Sequence, residues 1–351
     1  MTIRFRRSRL LFVTQALDLD DPVLSVYHDW VALLASRVES VEVVCLKEGR
    51  HLFMASSNVR VHSLGKENGR PALGALTYAL RFLRFAWMLR NRYNVAFVHM
   101  NQEYLLIAGF LWKVLGKRAY LWRNHYAGSW LTDLAAAFAE SVFCTSRHSY
   151  TAAYRKTKLM PVGVNIEKFP MTPDAPHANG SVLFLARMAP SKRAEVLIDA
   201  LALLRERGVA VTADFVGSPL PEHAEYYERL RKRASLDSSI RFFPGVPNSE
   251  TSDLYAQHDI FVNCSSSGMY DKTIFEAAAS GCLSVAASDD WKSVAGEELS
   301  FDGTASSLAA RLETLLACRE REKDALRARA RAIAEAQSLP SLMDRLAREL
   351  Q

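Results

Sequence analysis

Short runs rich in β-branched and aromatic residues alternate with longer stretches of helical periodicity along the whole chain, and this alternation narrows the possible folds more than any other feature. The runs are "RLLFVT", "VEVVCL", "VRVHSL", "VAFVHM", "RAYLW" and "SVFCTS" in the first half, then "VLFLA", "VTADFVG", "IRFFPG", "DIFVNC" and "CLSVAA". Strands separated by helices need crossover connections, and these build parallel sheets covered on both faces. The rhythm breaks at "FPMTPDAPHANGS", where Pro, Asn and Gly gather without apolar periodicity, as in a linker. Two doubly wound α/β domains are therefore expected, over 1–170 and 181–335. Residues 171–180 link them, and a C-terminal helix over 336–351 returns to the first domain. A chain of 351 residues, 49% hydrophobic and 23% charged, has enough material for two such cores. Asp21 and Pro22 predict the start of the first helix, "DPVLSVYHDWVALLASRV", with Asp21 as cap.

Composition removes several function classes. No run reaches the roughly 20 apolar residues of a membrane-spanning helix, since Arg81, Arg84 and Arg90 cut one candidate and Lys113 another. Arg4, Arg6, Arg7 and Arg9 ahead of "LLFV" imitate a secretory signal, but "DLDD" follows too soon, and a cytoplasmic protein is expected. The five cysteines are widely spaced without a CxxC, so neither a disulfide framework nor a zinc site is indicated. The charge is uneven. Residues 1–170 carry 23 Lys and Arg against 12 Asp and Glu, and residues 171–351 carry 21 against 26, so net +11 faces net −5. A basic half attracts phosphates, anionic lipid or nucleic acid. Arg81, Arg84 and Arg92, placed on one helical face of "LTYALRFLRFAWMLRNRYN" beside Phe82, Phe85, Trp87 and Leu89, favour an anionic membrane surface. Nucleic acid is disfavoured, because no aromatic-basic stacking platform appears.

In doubly wound sheets ligands sit beyond the carboxyl ends of the strands, so two such domains facing one another would frame a cleft lined by strand-to-helix loops. No G-x-G-x-x-G follows the first strand and no G-x-x-x-x-G-K-[ST] occurs, which removes the dinucleotide and P-loop readings. "VLFLARMAPSKRAEVLIDALALL" reads as strand, loop and helix, with Arg187 and Lys192 flanking the helix N-terminus. Two cations beside free N–H groups suit a diphosphate; two solvated loop cations would look the same. "DIFVNCSSSGMYDKTIFEAAASGC" repeats the pattern, with Asp271 placed to cap the helix and Gly281 to end it. Glu276, in the second turn, reads either as a surface position or as a carboxylate that accepts two ribose hydroxyls.

The ordered set "VGVNIEKF", "ARMAPSK", "DFVG", "FFPGVPNSETSDLYAQHDIFV" and "EAAASG" resembles the nucleotide-binding domain of the family-4 retaining glycosyltransferases of GT-B fold. "LLFVTQALDLDDPVL", "LGKENGR", "FVHMNQEYLLIAGFLWKVLGK" and "LWRNH" are similar to a bacterial branch of that family associated with cell-surface glycan synthesis. The resemblance implies two Rossmann-like domains. It assigns Arg187 and Lys192 to the diphosphate of a sugar nucleotide, Glu276 to its ribose, the backbone of Gly245, Val246 and Pro247 to its base, and His125 to the donor sugar. Gly217, Gly268, Met269, Lys272 and Thr273 complete the implied donor site. Asp20, Asp21 and Asn101 fall on the acceptor side. The family's usual E-x7-E pair would place its first Glu at 268, where this chain has Gly268. Asp271 either supplies the missing carboxylate or serves only as helix cap.

The resemblance thus implies a metal-independent, retaining glycosyltransferase without cofactor. The implied donor is a nucleoside diphosphate sugar and the acceptor a glycan or lipid-linked hydroxyl, used on the inner face of the membrane in envelope polysaccharide or glycolipid synthesis. Gly268 keeps open a second class, a non-catalytic transferase-like scaffold subunit. Asp18 to Asp20 and the pair Asp289 and Asp290 look like metal-binding carboxylates, but the resemblance replaces the metal by Arg187 and Lys192.

Overall fold

The apolar runs become buried parallel strands, and in a computed structural model they assemble into two sheets, one in each of two units. Unit 1 comprises Met1–Met160 with Pro340–Gln351, and unit 2 comprises Pro161–Leu339. The structure describes residues 8–21, 24–54, 57–69, 71, 74–171, 178–235, 237–268 and 270–351. Pro22, Met269 and linker residues 172–177 lie outside the described residues.

Unit 1 holds β1 (Arg9–Leu17), β2 (Ser40–Glu48), β3 (Val59–Ser63), β4 (Val95–His99), β5 (Arg118–Trp122), β6 (Ser141–Cys144) and β7 (Thr157–Leu159). The strand order is β3-β2-β1-β4-β5-β6-β7, all parallel. Leu10 to Val13 of β1 are fully buried, as a strand covered on both faces requires. β7 has no apolar run to announce it: "TKL" is a three-residue edge strand that exists by pairing with β6. The helices of this unit are α1 (Val26–Ala35), α2 (Ala75–Met88), α3 (Glu103–Val114) and α4 (Trp130–Phe138). α1 starts later than Asp21 suggested. Asp21 Oδ1 accepts the Leu24 N–H at 2.8 Å, which makes a turn, and the helix begins after Ser25. The Arg81, Arg84 and Arg92 face also needs correction. α2 ends at Met88, so Arg92 lies in the turn beyond it and approaches Glu42 at 3.8 Å, while Arg81 donates to the Leu64 carbonyl at 2.6 Å.

Unit 2 holds β8 (Ala178–Leu185), β9 (Thr212–Val216), β10 (Ile240–Phe243), β11 (His258–Asn263) and β12 (Leu283–Ala286), in the parallel order β10-β9-β8-β11-β12. Its helices are α5 (Ala194–Glu206), α6 (Ala224–Ala234), α7 (Thr251–Gln257), α8 (Lys272–Ala279), α9 (Asp289–Ala295), α10 (Ala305–Ala317) and α11 (Glu320–Ala336). Val162, Val164 and Phe169 join its core. α11 is held over the sheet by charge as well as packing. The Asp259 carboxylate, 2% exposed, accepts from Lys323 at 3.2 Å and Arg327 at 2.6 Å, and both cations are themselves buried. The last helix, α12 (Leu339–Glu349), buries Leu342, Met343 and Leu346 with Leu350. It is tied within unit 1 by Arg37–Asp344 at 2.7 Å and by Ser8 to the Leu350 carbonyl at 3.2 Å. Among the described residues, no helix is long and apolar enough to cross a membrane.

Candidate active site

In unit 2 the chain turns to opposite sides of the sheet after β8 and after β11, so the loops beyond these neighbouring strands meet at the carboxyl edge. Lys192 ends the short 3-10 turn that leads from β8 to α5. Its Nζ lies 2.7 Å from both carboxylate oxygens of Asp271 and 3.4 Å from Ser265 Oγ, both contributed by the loop after β11. Asp271 Oδ2 also accepts from Ser265 Oγ at 2.7 Å and Asn263 Nδ2 at 3.0 Å. Asp271 occupies the N-cap position of α8, but its side chain makes no capping hydrogen bond. The capping reading is therefore replaced: the carboxylate points to Lys192. Burial alone would push its pKa up. The ammonium beside it and the donors from Lys192, Asn263 and Ser265 outweigh that and hold it below the ordinary carboxylate value.

Glu276 is not a surface position. It is 7% exposed, with Oε2 accepting from Tyr255 OH at 3.1 Å and Oε1 facing Asn248 Nδ2 at 3.5 Å. Burial raises its pKa, more than Lys272 and the hydrogen bonds from Tyr255 and Asn248 lower it. Burial likewise lifts the Tyr255 phenol well above its usual range, with Glu276 adding to the effect. A carboxylate fixed on one side by Tyr255 retains lone pairs for further hydroxyl donors.

The neighbouring loops are pinned together. Ala186 N–H donates to the Val216 carbonyl at 3.2 Å, Gly217 N–H to the Phe243 carbonyl at 3.1 Å, and Gly245 N–H to Ser218 Oγ at 3.0 Å. A Cβ on Gly217 would overlap the Ala186 carbonyl oxygen, so only glycine fits there. Val246 packs on the core of unit 2, and Pro247 precedes the turn carrying Asn248. Gly268 sits at φ 95°, in the region that favours glycine, and its N–H points at Asp290 Oδ2 at 3.5 Å. Ser267 pairs with Asp289, its Oγ 3.1 Å from Oδ2, and Tyr270 OH donates to the Asp290 carbonyl at 3.2 Å. Asp289 and Asp290 thus anchor this loop. Lys272 and Thr273 form the partly exposed first turn of α8.

Arg187 is exposed in the loop after β8. The α5 N-terminus offers an anion less than its sequence promised. Ala194 N–H is taken by Tyr226 OH at 3.1 Å, and that hydroxyl donates to Glu195 at 2.5 Å.

In unit 1 the order of strands places the loops after β1 and β4 side by side in the same way. Asp20, after β1, is held by Arg50 through two contacts of 2.9 and 2.6 Å, and Asp21 by the Leu24 N–H. Arg50 depresses the Asp20 pKa through its hydrogen bond. Asn101 comes after β4 and Met100, a non-glycine residue at φ 68°, and its N–H donates to the His99 carbonyl at 2.9 Å. His125 lies just beyond β5. Its Nδ1 lies 2.9 Å from the Ala127 N and 3.2 Å from the Ala127 carbonyl oxygen, so the tautomer decides which of the two it engages. The ring stacks on Tyr126 with centroids 4.6 Å apart.

The sequence singles out Lys192, Asp271 and Glu276 but does not pair them with Asn263, Ser265, Asn248 and Tyr255. Asn263 and Ser265 did carry a signal: polar residues at the end of an otherwise apolar strand that opens a loop.

Residues 179–318 match the family model described as glycosyl transferases group 1. This span lies within unit 2 and contains Arg187, Lys192, Asp271 and Glu276. No curated protein matches the sequence. Among solved structures the chain is similar to HepE of Anabaena, crystallised with UDP and glucose, at 18% identity over 98% of this chain and 99% of that one, with a TM-score of 0.75. It is similar to sucrose-phosphate synthase of Thermosynechococcus elongatus at 17% identity, covering 97% and 99%, with a TM-score of 0.76. It is also similar to the apo lipopolysaccharide outer core galactosyltransferase WaaB at 12% identity, covering 97% and 99%, with a TM-score of 0.69. These likenesses and the two parallel sheets establish the fold as two-domain, Rossmann-like GT-B.

Proposed function

We propose that this GT-B protein is a retaining, metal-independent glycosyltransferase that moves a sugar from a nucleoside diphosphate donor to a hydroxyl of a glycan or lipid-linked acceptor in envelope polysaccharide or glycolipid synthesis. The observation that carries the reading is the coincidence of two things in unit 2. The group 1 glycosyltransferase match covers the junction of the loops after β8 and β11, and that junction holds a preplaced ammonium, Lys192, together with the buried carboxylate of Glu276 on α8. In the reaction the bond from the anomeric carbon to the diphosphate oxygen breaks and one to the acceptor oxygen forms on the same face. The acceptor proton passes to the leaving phosphate. Lys192 and Arg187 stabilise the charge that develops on the diphosphate, which is electrostatic catalysis. Glu276 accepts the ribose hydroxyls. The backbone at Gly245 to Pro247 frames the base, and Gly217, Gly268, Lys272 and Thr273 line the rest of the donor site, to which the sequence resemblance also assigns Met269. In unit 1 the sequence resemblance assigns His125 to the donor sugar and Asp20, Asp21 and Asn101 to the acceptor. Supporting the donor class, HepE was crystallised with UDP and glucose.

A thermal-shift panel of UDP-, GDP-, ADP- and TDP-sugars tests this reading. A bound donor at 100 times its Kd stabilises by about 2.7 kcal/mol. No shift with any member overturns it. The competing reading, a non-catalytic subunit, draws on Gly268, which leaves no side chain where the resembling family carries a Glu. Donor turnover by the purified chain alone excludes that reading; binding without turnover favours it.

The acceptor is proposed to be met at an anionic membrane surface on the cytoplasmic side. Two features of unit 1 support this. Residues 68–132 contain nine Lys and Arg against a single acid, Glu103. α2 also exposes Leu76, Leu80, Arg84, Trp87 and Met88, a spacing that makes one face, and the Arg90 guanidinium lies 4.3 Å over the Trp87 ring. Each basic residue near such a surface adds about 1 kcal/mol. Sedimentation with phosphatidylglycerol vesicles, lost at high salt and in a Trp87→Ala, Arg84→Glu, Arg90→Glu variant, is the expected result. Equal binding to neutral vesicles, or none to either, refutes it.

A further inference from the structure

Asp271 is doubly constrained in a way that helix capping does not explain. Its two oxygens receive Lys192 at 2.7 Å each, Ser265 Oγ at 2.7 Å and Asn263 Nδ2 at 3.0 Å. Asn263 in turn fixes the loop, because its Oδ1 accepts the Ser265 N–H at 3.0 Å. The carboxylate therefore stays in place whether or not Lys192 remains on it. Lys192 and Asp271 are each 19% exposed, so the pair is sheltered enough for its field to act strongly but open enough for a ligand to reach the ammonium. An arriving diphosphate meets a neutral pair and not a bare cation, and it must share the ammonium with a fixed negative charge.

That fixed charge acts unequally on the two ends of the reaction. In a sugar nucleotide both phosphates are esterified on either side. The released nucleoside diphosphate has a terminal phosphate with a second ionisation near neutral pH, and so carries up to about one more negative charge. A carboxylate close to the ammonium repels the product more than the donor. Resting on the reading that Lys192 receives the diphosphate, we propose that Asp271 is a positioning residue that holds Lys192 for the donor and, by competing for it, discriminates against the more highly charged product and hastens its release. The carboxylate would then be kept for turnover at some cost in nucleotide affinity.

The test is isothermal titration of the full chain with four matched pairs, UDP and UDP-glucose, GDP and GDP-mannose, ADP and ADP-glucose, and TDP and TDP-glucose. Product inhibition is measured alongside with the pair that binds best. Asp271→Asn keeps the shape and removes the charge. Asp271→Ser provides a second neutral variant should the first fold poorly, and both residues suit an N-cap. The expected result in either is nucleoside diphosphate binding tighter by about 10-fold, a change of about 1.4 kcal/mol, with donor affinity changing by less than about 3-fold and product inhibition growing in step. Ser265→Ala, which retains the charge, leaves the product-to-donor ratio unchanged. Product affinity that is unchanged or weaker in the neutral variants, while Lys192→Ala still weakens nucleotide binding, overturns the competition but leaves the function standing. Nucleotide binding that Lys192→Ala does not affect, or no binding by any pair, overturns the function and the proposal with it.

Discussion

Replacing Lys192 by alanine removes the ammonium that touches both oxygens of Asp271 at 2.7 Å. At an effective dielectric near 20, unit charges about 4 Å apart attract by about 4 kcal/mol. Much of that gain is offset by desolvation, and a fully buried pair costs about 3–5 kcal/mol when one partner is deleted. Here the cost is smaller, because Asp271 keeps the donors from Ser265 and Asn263 and is 19% exposed. About 1–2 kcal/mol is expected, which lowers the Tm of a unit of this size by roughly 2–8 °C. The loss depends on pH. In the wild type the Asp271 pKa is depressed, so its contribution is present above the unfolded carboxyl value, about 3.9, and disappears as the pH falls through the folded value. The Tm difference should be full at pH 7 and shrink below about pH 4. Transfer falls far more than stability, since losing one preorganised donor to a developing oxyanion costs about 2.7–4 kcal/mol, a hundred- to thousand-fold in kcat. Thermal melts between pH 3 and 7 and a donor-turnover assay supply both readouts. A stable variant with near-normal turnover, or a Tm gap that widens in acid, would refute the reasoning.

Glu276→Gln should weaken donor binding by about 10- to 100-fold through lost charged hydrogen bonds to the ribose, read by titration. Because burial raises the Glu276 pKa, the wild type loses stability as pH rises through the window above the unfolded value of about 4.3, so the variant melts at or above wild type at pH 7 and the two converge near pH 4. Asp259→Ala leaves Lys323 and Arg327 buried without their carboxylate and should cost about 3–5 kcal/mol in a chemical denaturation curve, with donor affinity unchanged under folded conditions. EDTA should leave turnover intact, because the cations of the proposed site are side chains; inhibition reversed by magnesium contradicts it.

Much of the fold was legible because strands buried on both faces read as continuous apolar runs. Leu10 to Val13 and "VLFLA" could hardly have been anything else. β7 was not legible, since an edge strand of Thr157, Lys158 and Leu159 owes its existence to its partner. The start of α1 was misplaced: Asp21 does accept the Leu24 N–H three residues on, as a cap would, but regular helix begins only at Val26, a delay that local propensity does not settle. The same ambiguity affected Asp271, whose N-cap position is real while its side chain serves Lys192 across 79 residues of chain. Glu276 shows the limit from the other side. A lone Glu on a helix looks solvated until Tyr255 and Asn248 arrive from another element. Arg92 failed for a geometric reason, because extrapolating helical spacing past Met88 placed it on a face that the helix does not reach.

The central claim, that the junction of the loops after β8 and β11 activates a sugar nucleotide, is tested most directly by single-turnover release of nucleoside diphosphate from the best-binding donor. The wild type and the Lys192→Ala and Glu276→Gln variants are compared at saturating donor. The account predicts release by the wild type, release slowed a hundred-fold or more in Lys192→Ala at saturation, and in Glu276→Gln a defect that higher donor concentration largely repairs. Equal release by all three, or none by the wild type with any of the four bases, would contradict it.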